Sequence, residues 1–556
     1  MTLVTVSLTM LVVMGLGAAA MTAASGDLNL AAHDDRSKRA YAAAEAGLHD
    51  YLFHLSQNNG YWALCTDVPP PARISDAWSG VGDDPRRWRR LSGTDAEYAI
   101  ELLPAPGQPR CDSNNAQASM INAQGMFRIR TTGRVPTANG GYAKRSIVAA
   151  FRRRGFIDFL YYTDFETTDP SWYEVVSGGR PTRINQSNAH PTFLEWASAS
   201  CARYYRPTVS GGNDGRGSQS WSGQIQWNPG GSWSSWPSRG SQPCTEIQFA
   251  HGDVVNGPLH TNDEIMVCGS PTFGRNAQDR IEVSAPPRGG FSGYRAASGC
   301  SANPNFEGTF TANSPILAMP PTNTKLKTVA EPAYTFTGET EIELTGSGLV
   351  ITNAAAGLDK AMRAYPPNGV IYVQNGDCGQ TTRPLAPLDN PEGCGDAHIH
   401  GTYGSDLTIA TENDILVTDD VRMSNDRMLG LIANNYVRVH HTIRNLSVGS
   451  GGSSCTNNDS PTNVEIDAAI LSLTRSFTVD YYFCGSPLGD LTVHGAIAQK
   501  YRGPVGQGSS GGGISNGYLK DYNYDDRLAY RSPPHFLDPV QSAWRLARQT
   551  EQTPAR

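Results

Sequence analysis

The sequence predicts a mainly β protein with a long N-terminal α-helix. A small antiparallel sheet is expected first, then an irregular body resembling a parallel β-helix, with a β-sandwich as the competing fold. Three observations predict this. Gly (58) and Pro (36) are plentiful while charged residues make up only 17% of the 556 residues, a balance that favours turn-dense β structure over helical bundles. The first 24 residues carry no charge and run straight into an amphipathic helical pattern. From about residue 248 onward, Asn/Asp turn residues repeatedly precede short apolar strands.

The helix is expected over 1–57. Twenty-four helical residues reach about 36 Å, enough to cross a hydrocarbon core of about 30 Å. Leu3, Val4, Val6, Leu8, Leu11, Val12, Val13 and Leu16 supply the apolar side chains. No Lys or Arg precedes them and the helical pattern continues past Ala24. The run therefore reads as a retained membrane or filament anchor rather than a signal peptide cleaved near Ala23-Ala24. Tyr41, Ala44, Leu48, Tyr51 and Leu55 then follow 3-4 spacing, a seam that packs on a domain or partner helix. Asn58-Asn59-Gly60 ends the helix by turn chemistry.

The stretch Ala40-Tyr41-Ala42-Ala43-Ala44-Glu45-Ala46-Gly47-Leu48, following an apolar helix and a polar stretch, resembles the N-terminal region of type IV pilus accessory proteins, the PilX-type minor pilin-like family. The resemblance covers about the first 55 residues. It implies a helix inserted in a membrane or among pilin helices, with pilin-like subunits as partners. Counted from Met1, Thr5 stands where pilins carry a Glu, so the resemblance implies an accessory role rather than the major filament subunit.

Residues 58–156 read as a small strand-rich unit, with strands at Tyr98–Leu103, Met126–Arg130 and Ser146–Phe151. Residues 157–247 are irregular and rich in Gly and Ser, with Trp221, Trp227, Trp233 and Trp236 spaced through them. These tryptophans suit either gap-filling over a sheet or contact with a surface glycan, since flat aromatic faces bury well against sugar rings. Residues 248–502 form the repeat body. Thr261-Asn262-Asp263 precedes Ile265-Met266-Val267, Asn413-Asp414 precedes Ile415-Leu416-Val417, and Asn434-Asn435 precedes Tyr436-Val437. At each, Asn or Asp is expected to take a left-handed corner between strands. Residues 503–556 are expected to form a flexible glycine loop (503–517) and a docking tail ending in a short helix near 538–549.

The ten cysteines are Cys65, Cys111, Cys201, Cys244, Cys268, Cys300, Cys378, Cys394, Cys455 and Cys484, with no CxxC among them. Their number and spacing argue for disulfides rather than structural zinc, and for an oxidising, extracytoplasmic setting. Pairing between sequence neighbours is the expectation. Arg36, Lys38 and Arg39, just after the apolar run, would by charge alone place the body in the cytoplasm. The cysteines outweigh that.

Chemistry is sparse. His398-Ile399-His400 could present two imidazoles on one strand face, with Asp396 nearby, but spacing fixes no third ligand. Asp419-Asp420 are successive residues, so a strand would point them to opposite faces. The GxGxxG at 506–511 lies between no strand and helix, as its chemistry would require. The net charge of −7 is mild for this length, and no strong basic patch invites nucleic acid. The expectation is a non-enzymatic extracellular protein without cofactor or metal, held in the cell envelope or a pilus by residues 1–57. The alternative is a polysaccharide-active or glycan-binding surface protein.

Overall fold

The computed structural model describes the chain except residues 1, 59, 66–87, 123–124, 170–172, 176–180, 184–205, 208–212, 215–224, 229–230, 234–245, 286–292, 298, 379–389, 450–451, 509–513, 541–543 and 556. For 2–5, 17–30, the short strands between 173 and 233, and parts of 446–454, it describes the backbone alone. The chain divides into two compact units, Met1–Arg153 with Ala543–Arg556, and Arg154–Ser542.

The first unit pairs one helix with one antiparallel sheet. The helix runs Thr2–Gln57. It stops where expected: the Asn58 side chain accepts from Gly60 N at 2.8 Å, a local turn that competes with further helix. The sheet order is Arg89–Arg90, Glu97–Leu103, Met126–Pro136, Tyr142–Arg153 and Trp544–Gln552. The three strands expected from the sequence lie within it. The last strand does not match the expected C-terminal helix: Trp544–Gln552 pairs antiparallel with Tyr142–Arg153. Backbone pairing with a strand about 400 residues earlier overrides its local helical preference. The whole second unit is thus inserted between two neighbouring strands of this sheet.

The helical seam packs as its spacing requires. Ala40, Ala43, Ala44, Leu48, Tyr51 and Leu55 are all buried. A Cβ on Gly133 of the sheet would lie 1.9 Å from Ala40 O and 2.5 Å from Ala44 N, and one on Gly47 would meet the Tyr98 ring at 2.8 Å. The small residues of the Ala40–Leu48 stretch therefore have a packing reason: they let the helix backbone touch the sheet. Beyond them, Tyr51, Tyr61, Trp62, Phe127, Phe151 and Trp544 fill the core with ring contacts of 4.7–6.3 Å. The Tyr51 hydroxyl is buried there without a hydrogen-bond partner among the described residues. Tyr51→Phe, which removes that unmet desolvation cost, is expected to leave the melting temperature unchanged or raise it, by up to about 1 kcal/mol of stability. A thermal melt checks this.

Towards its start the same helix exposes Val6, Leu8, Met10, Leu11, Val12, Val13, Met14 and Leu16, each 55–70% accessible. Among the described residues no helix is long and apolar enough to cross a membrane. The transmembrane span expected over residues 1–24 is therefore not found there.

The second unit is built on a large mixed sheet, largely parallel. Ten strands pair in parallel in the order Thr309–Thr311, Arg280–Val283, Leu259–Thr261, Tyr161–Phe165, Pro487–Tyr501, Val464–Ser472, Leu429–Ala433, Leu407–Thr411, Val370–Gln374, Thr335–Thr337. A β-sandwich would pair its strands antiparallel. In register, Ile371, Ile409, Leu431, Ile470, Ile497, Tyr161, Leu259 and Ile281 make one buried row. A second parallel row stacks Thr340–Thr345, Ala397–Tyr403, Ile415–Met423, Val437–Val439 and Phe477–Val479.

Chain order and stack order differ. Tyr161–Phe165 comes first in sequence but sits inside the stack. One arm (259–311) grows from it in one direction. The connector 312–334 then crosses the outer apolar row, where Leu317 and Leu326 cover Tyr162, Leu471, Ile432, Ala410 and Tyr372. The second arm starts at Thr335–Thr337 and winds back until Pro487–Tyr501 pairs with Tyr161–Phe165.

The expected flexible loop also differs. Gly506–Gly508 and Ile514–Tyr524 are strands that pair with each other, and the second extends the parallel stack beside Pro487–Tyr501. Four disulfides join sequence neighbours: Cys65–Cys111, Cys268–Cys300, Cys378–Cys394 and Cys455–Cys484. Cys201 and Cys244 lie outside the described residues.

Candidate functional site

The second unit concentrates its buried polar chemistry in two places. The first is the seam where the arms meet. On the strand 161–165 and the residues after it, Asp164, Glu166 and Asp169 are 0–2% exposed. Each takes a cation from the returning arm: Asp164 pairs with Lys500, Glu166 with Arg502 (3.1 Å) and Asp169 with Arg475 (3.2 Å). From the other arm, Asn262 Nδ2 donates to Asp164 (2.9 Å), and Asp263 accepts from Glu166 N (3.0 Å). Arg502 also donates to Ile247 O (2.8 Å) and lies 3.7 Å over the Phe249 ring. Burial pushes the Glu166 carboxyl above its usual range, against the pull of Arg502. His260, fully buried beside this seam, is bridged between Glu282 and Asn262 at 3.0 Å each.

The second place is a side-chain ladder running across neighbouring parallel strands. Thr474 Oγ1 donates to Asn435 Oδ1 (2.8 Å), Asn435 Nδ2 to Asn413 Oδ1 (2.5 Å), and Asn413 Nδ2 to Asp396 Oδ1 (2.7 Å). Asp396 and Asp414 are both buried and share one donor, Asn390 Nδ2, at 2.7 and 3.0 Å. Asp414 also accepts from Tyr436 N and Arg438 Nε at 3.0 Å each, and Arg438 Nη1 reaches Asp480 at 2.7 Å. Burial and the neighbouring Asp414 push Asp396 up to about 7, while burial raises Asp414 against the Arg438 charge.

The repeated Asn/Asp motifs thus do sit just before stacked parallel strands, but not in left-handed backbone. Among the described non-glycine residues, positive φ occurs at Cys65, Asn313, Lys360, Asn425, Asn445, Asp459, Asn463, Tyr481 and His535. Asp263, Asp414 and Asn435 are not among them. They act through side chains that satisfy polar groups beside the neighbouring strand.

His398 and His400 lie on the strand Ala397–Tyr403, whose inward residues are Ala397 and Ile399. Burial, then the Arg438 and His440 charges, push His398 down to about 4. His400 Nδ1 lies 3.3 Å from Thr418 Oγ1. Among the described residues, no three His, Cys, Asp or Glu side chains lie where they could hold one metal ion. Asp420 Oδ1 accepts from Glu465 N (2.8 Å), and Asp419 accepts from Asp420 N (2.8 Å). The side chains of Trp221, Trp227, Trp233 and Trp236 lie outside the described residues.

The second unit also holds a small cavity and an open cleft among the described residues. The cavity, about 20 Å³, lies between Tyr161, Phe249, Asp253, Arg502, Lys520 and Tyr522, room for one water. Burial depresses the Lys520 amine there. An open cleft of about 540 Å³ is bordered by Glu339, Glu341, Asp377 and Glu392.

The seam was beyond sequence reasoning because its partners lie 97 to 336 residues apart; the ladder and the His260 bridge join residues only 2 to 39 apart, but their contacts depend on how the strands stack. The only local trace is the repetition of Asn and Asp before strands. No protein-family model, curated protein or solved structure matches the chain.

Proposed function

We propose that this is a non-enzymatic extracellular structural protein, associated with a pilus in the manner of a minor pilin. Its N-terminal helix inserts in the membrane or among pilin helices. Its disulfide-stapled body, a parallel β-helix of uneven coils, is displayed for assembly or adhesion.

The observation that carries the reading is the continuity of one helix. Its early part exposes eight apolar side chains between Val6 and Leu16 with no charge among them, while its later part is packed by Ala40, Ala43 and Ala44 onto an antiparallel sheet. Such exposed apolar surface marks a segment that is covered by another apolar phase. The β-helix reading is supported by recurring parallel pairings at one-coil spacing: Gln248 with Met266, Val254 with Thr272, Leu259 with Ile281. Disulfides fit an oxidising compartment.

The anchor is tested by Leu11→Arg and Val13→Arg together, in the full chain and its own cells. Each Arg costs about 3 kcal/mol at the centre of an inserted helix. The variant is expected to leave the membrane and pilus fractions for the soluble fraction, with Cys65–Cys111 still formed. Unchanged fractionation of a folded variant overturns the anchor.

A further inference from the structure

We propose that the small cavity beside the seam is a binding site for one monovalent anion of halide size, held between Lys520, Arg502, Gln499 and the hydroxyls of Tyr161 and Tyr522. The proposed function makes no use of this site. Lys520 lies on the strand Ile514–Tyr524, in register with Leu491 and, one strand further, Val464. Both of those are buried in the core, so strand alternation turns Lys520 inward as well. Tyr522, in register with the buried Val493, is inward for the same reason. The two side chains border the cavity together with Tyr161, Gln499 and Arg502, all three buried. Its volume of about 20 Å³ suits one compact occupant, a water or a halide.

The polar groups around the cavity are mostly donors. Gln499 Oε1 accepts from Phe477 N and Gly503 N at 3.0 Å each. That fixes the amide and leaves Nε2 with one long contact, 3.5 Å to Tyr161 Oη. Tyr161 Oη accepts there, so its own proton is available to another acceptor. Tyr522 Oη and Lys520 Nζ have neither a hydrogen bond nor an ion pair among the described residues. Arg502 Nη1 is taken by Glu166 and Ile247 O, while Nη2 has a 3.5 Å contact to Gln248 O. The acceptor on the wall is the Asp253 carboxylate, whose Oδ2 is occupied by Ala250 N at 2.7 Å. A halide would accept from Gln499, the tyrosines and Arg502, and would supply the counter-charge of a protonated Lys520. A water accepts two hydrogen bonds and brings no charge.

The charges set the pH dependence. Burial lowers the Lys520 amine against the pull of Asp253, and the Arg502 charge lowers it further against that of Glu166. An anion opposes that shift by favouring the ammonium, so anion and proton bind together and affinity falls as the pH rises. The lining residues come from strand 161–165, from 249–255, from the returning arm at 477–503 and from the last strand. One ion therefore bonds the segments that meet at the seam.

The test uses the whole protein in two measurements. Crystals grown in bromide are expected to show an anomalous peak within hydrogen-bonding distance of Lys520 Nζ and Gln499 Nε2. In thermal melts at constant ionic strength, replacing gluconate by chloride is expected to raise the transition of the second unit by about 3 °C at about a hundredfold excess over the dissociation constant. The shift should be larger at about pH 6 than at about pH 9. Lys520→Met, which keeps the apolar stem, should lose the peak and the shift. A cavity that holds a water without anomalous signal overturns the proposal, as do bromide peaks on the outer surface alone or a K520M variant that keeps the full shift. Should K520M not fold, the wild-type bromide map still decides. The Leu11→Arg, Val13→Arg variant should keep the chloride response, so this result and that of the anchor test are independent.

Discussion

Replacing Glu166 by Ala is expected to cost the second unit about 3–5 kcal/mol, a large fraction of the stability of an ordinary domain. Glu166 is 1% exposed and Arg502 2% exposed. Removing the carboxylate leaves a buried guanidinium with carbonyl partners, Ile247 O and the more distant Gln248 O, and the Phe249 face. Neither supplies a counter-charge. The void also removes one of the two partners of the Thr163 hydroxyl, which keeps Thr261 Oγ1 at 2.9 Å, while Glu166 N keeps its bond to Asp263. The damage falls on the strand Tyr161–Phe165, which among the described residues pairs with both arms. Urea denaturation should therefore show an early transition in which parallel pairing between Tyr161–Phe165 and Pro487–Tyr501 is lost. Asp526→Ala is the contrast: it also removes an arginine's partner, but Asp526 is 74% exposed and Arg275 keeps Asp279. That change should cost at most about 1 kcal/mol. Equal effects for the two substitutions would show that the seam is not what joins the arms.

The seam also marks where sequence reading stops. Mainly β character, the three strands of the small sheet and the neighbouring disulfides were legible, because composition, alternation and short loops are local signals. The helical seam Tyr41 to Leu55 was legible for the same reason. The order of the stack was not. Tyr161 lies beside Ile497, more than 300 residues away, and nothing around either residue encodes the other. Asp164, Glu166 and Asp169 read as ordinary polar residues until Lys500, Arg502 and Arg475 are placed opposite them. The left-handed corners were expected because Asn and Asp tolerate them. The chain instead uses these side chains as hydrogen-bonding rungs, which only a neighbouring parallel strand makes possible. Trp544–Gln552 failed locally because its pairing partner was fixed elsewhere in the fold.

Gly133→Ala is expected to be the most damaging single methyl in the first unit. The added Cβ would stand 1.9 Å from Ala40 O, 2.5 Å from Ala44 N and 2.9 Å from Ala43 Cβ. Two of these three neighbours are helix backbone, which cannot rotate out of the way. The helix must lift from the sheet, and Leu48, Tyr51 and Leu55 lose burial together. Overpacking of this kind typically costs about 1–3 kcal/mol, and loss of the aromatic contacts behind it takes the expected total to about 3 kcal/mol or more. A thermal melt and the near-ultraviolet signal of Trp62 and Trp544 would report it. Gly141→Ala supplies the control: its Cβ would meet only Thr137 Oγ1 at 3.4 Å, in backbone that any residue adopts, and should shift stability by about 0.5 kcal/mol or less. Ala43→Gly combined with Gly133→Ala should recover little, because it relieves the 2.9 Å contact and leaves both backbone clashes. Full recovery in that double variant would mean side chains, not the helix backbone, set the approach. Failure to recover ties the small residues of Ala40–Leu48 to the spacing between helix and sheet, and so to how the exposed apolar end of that helix is held.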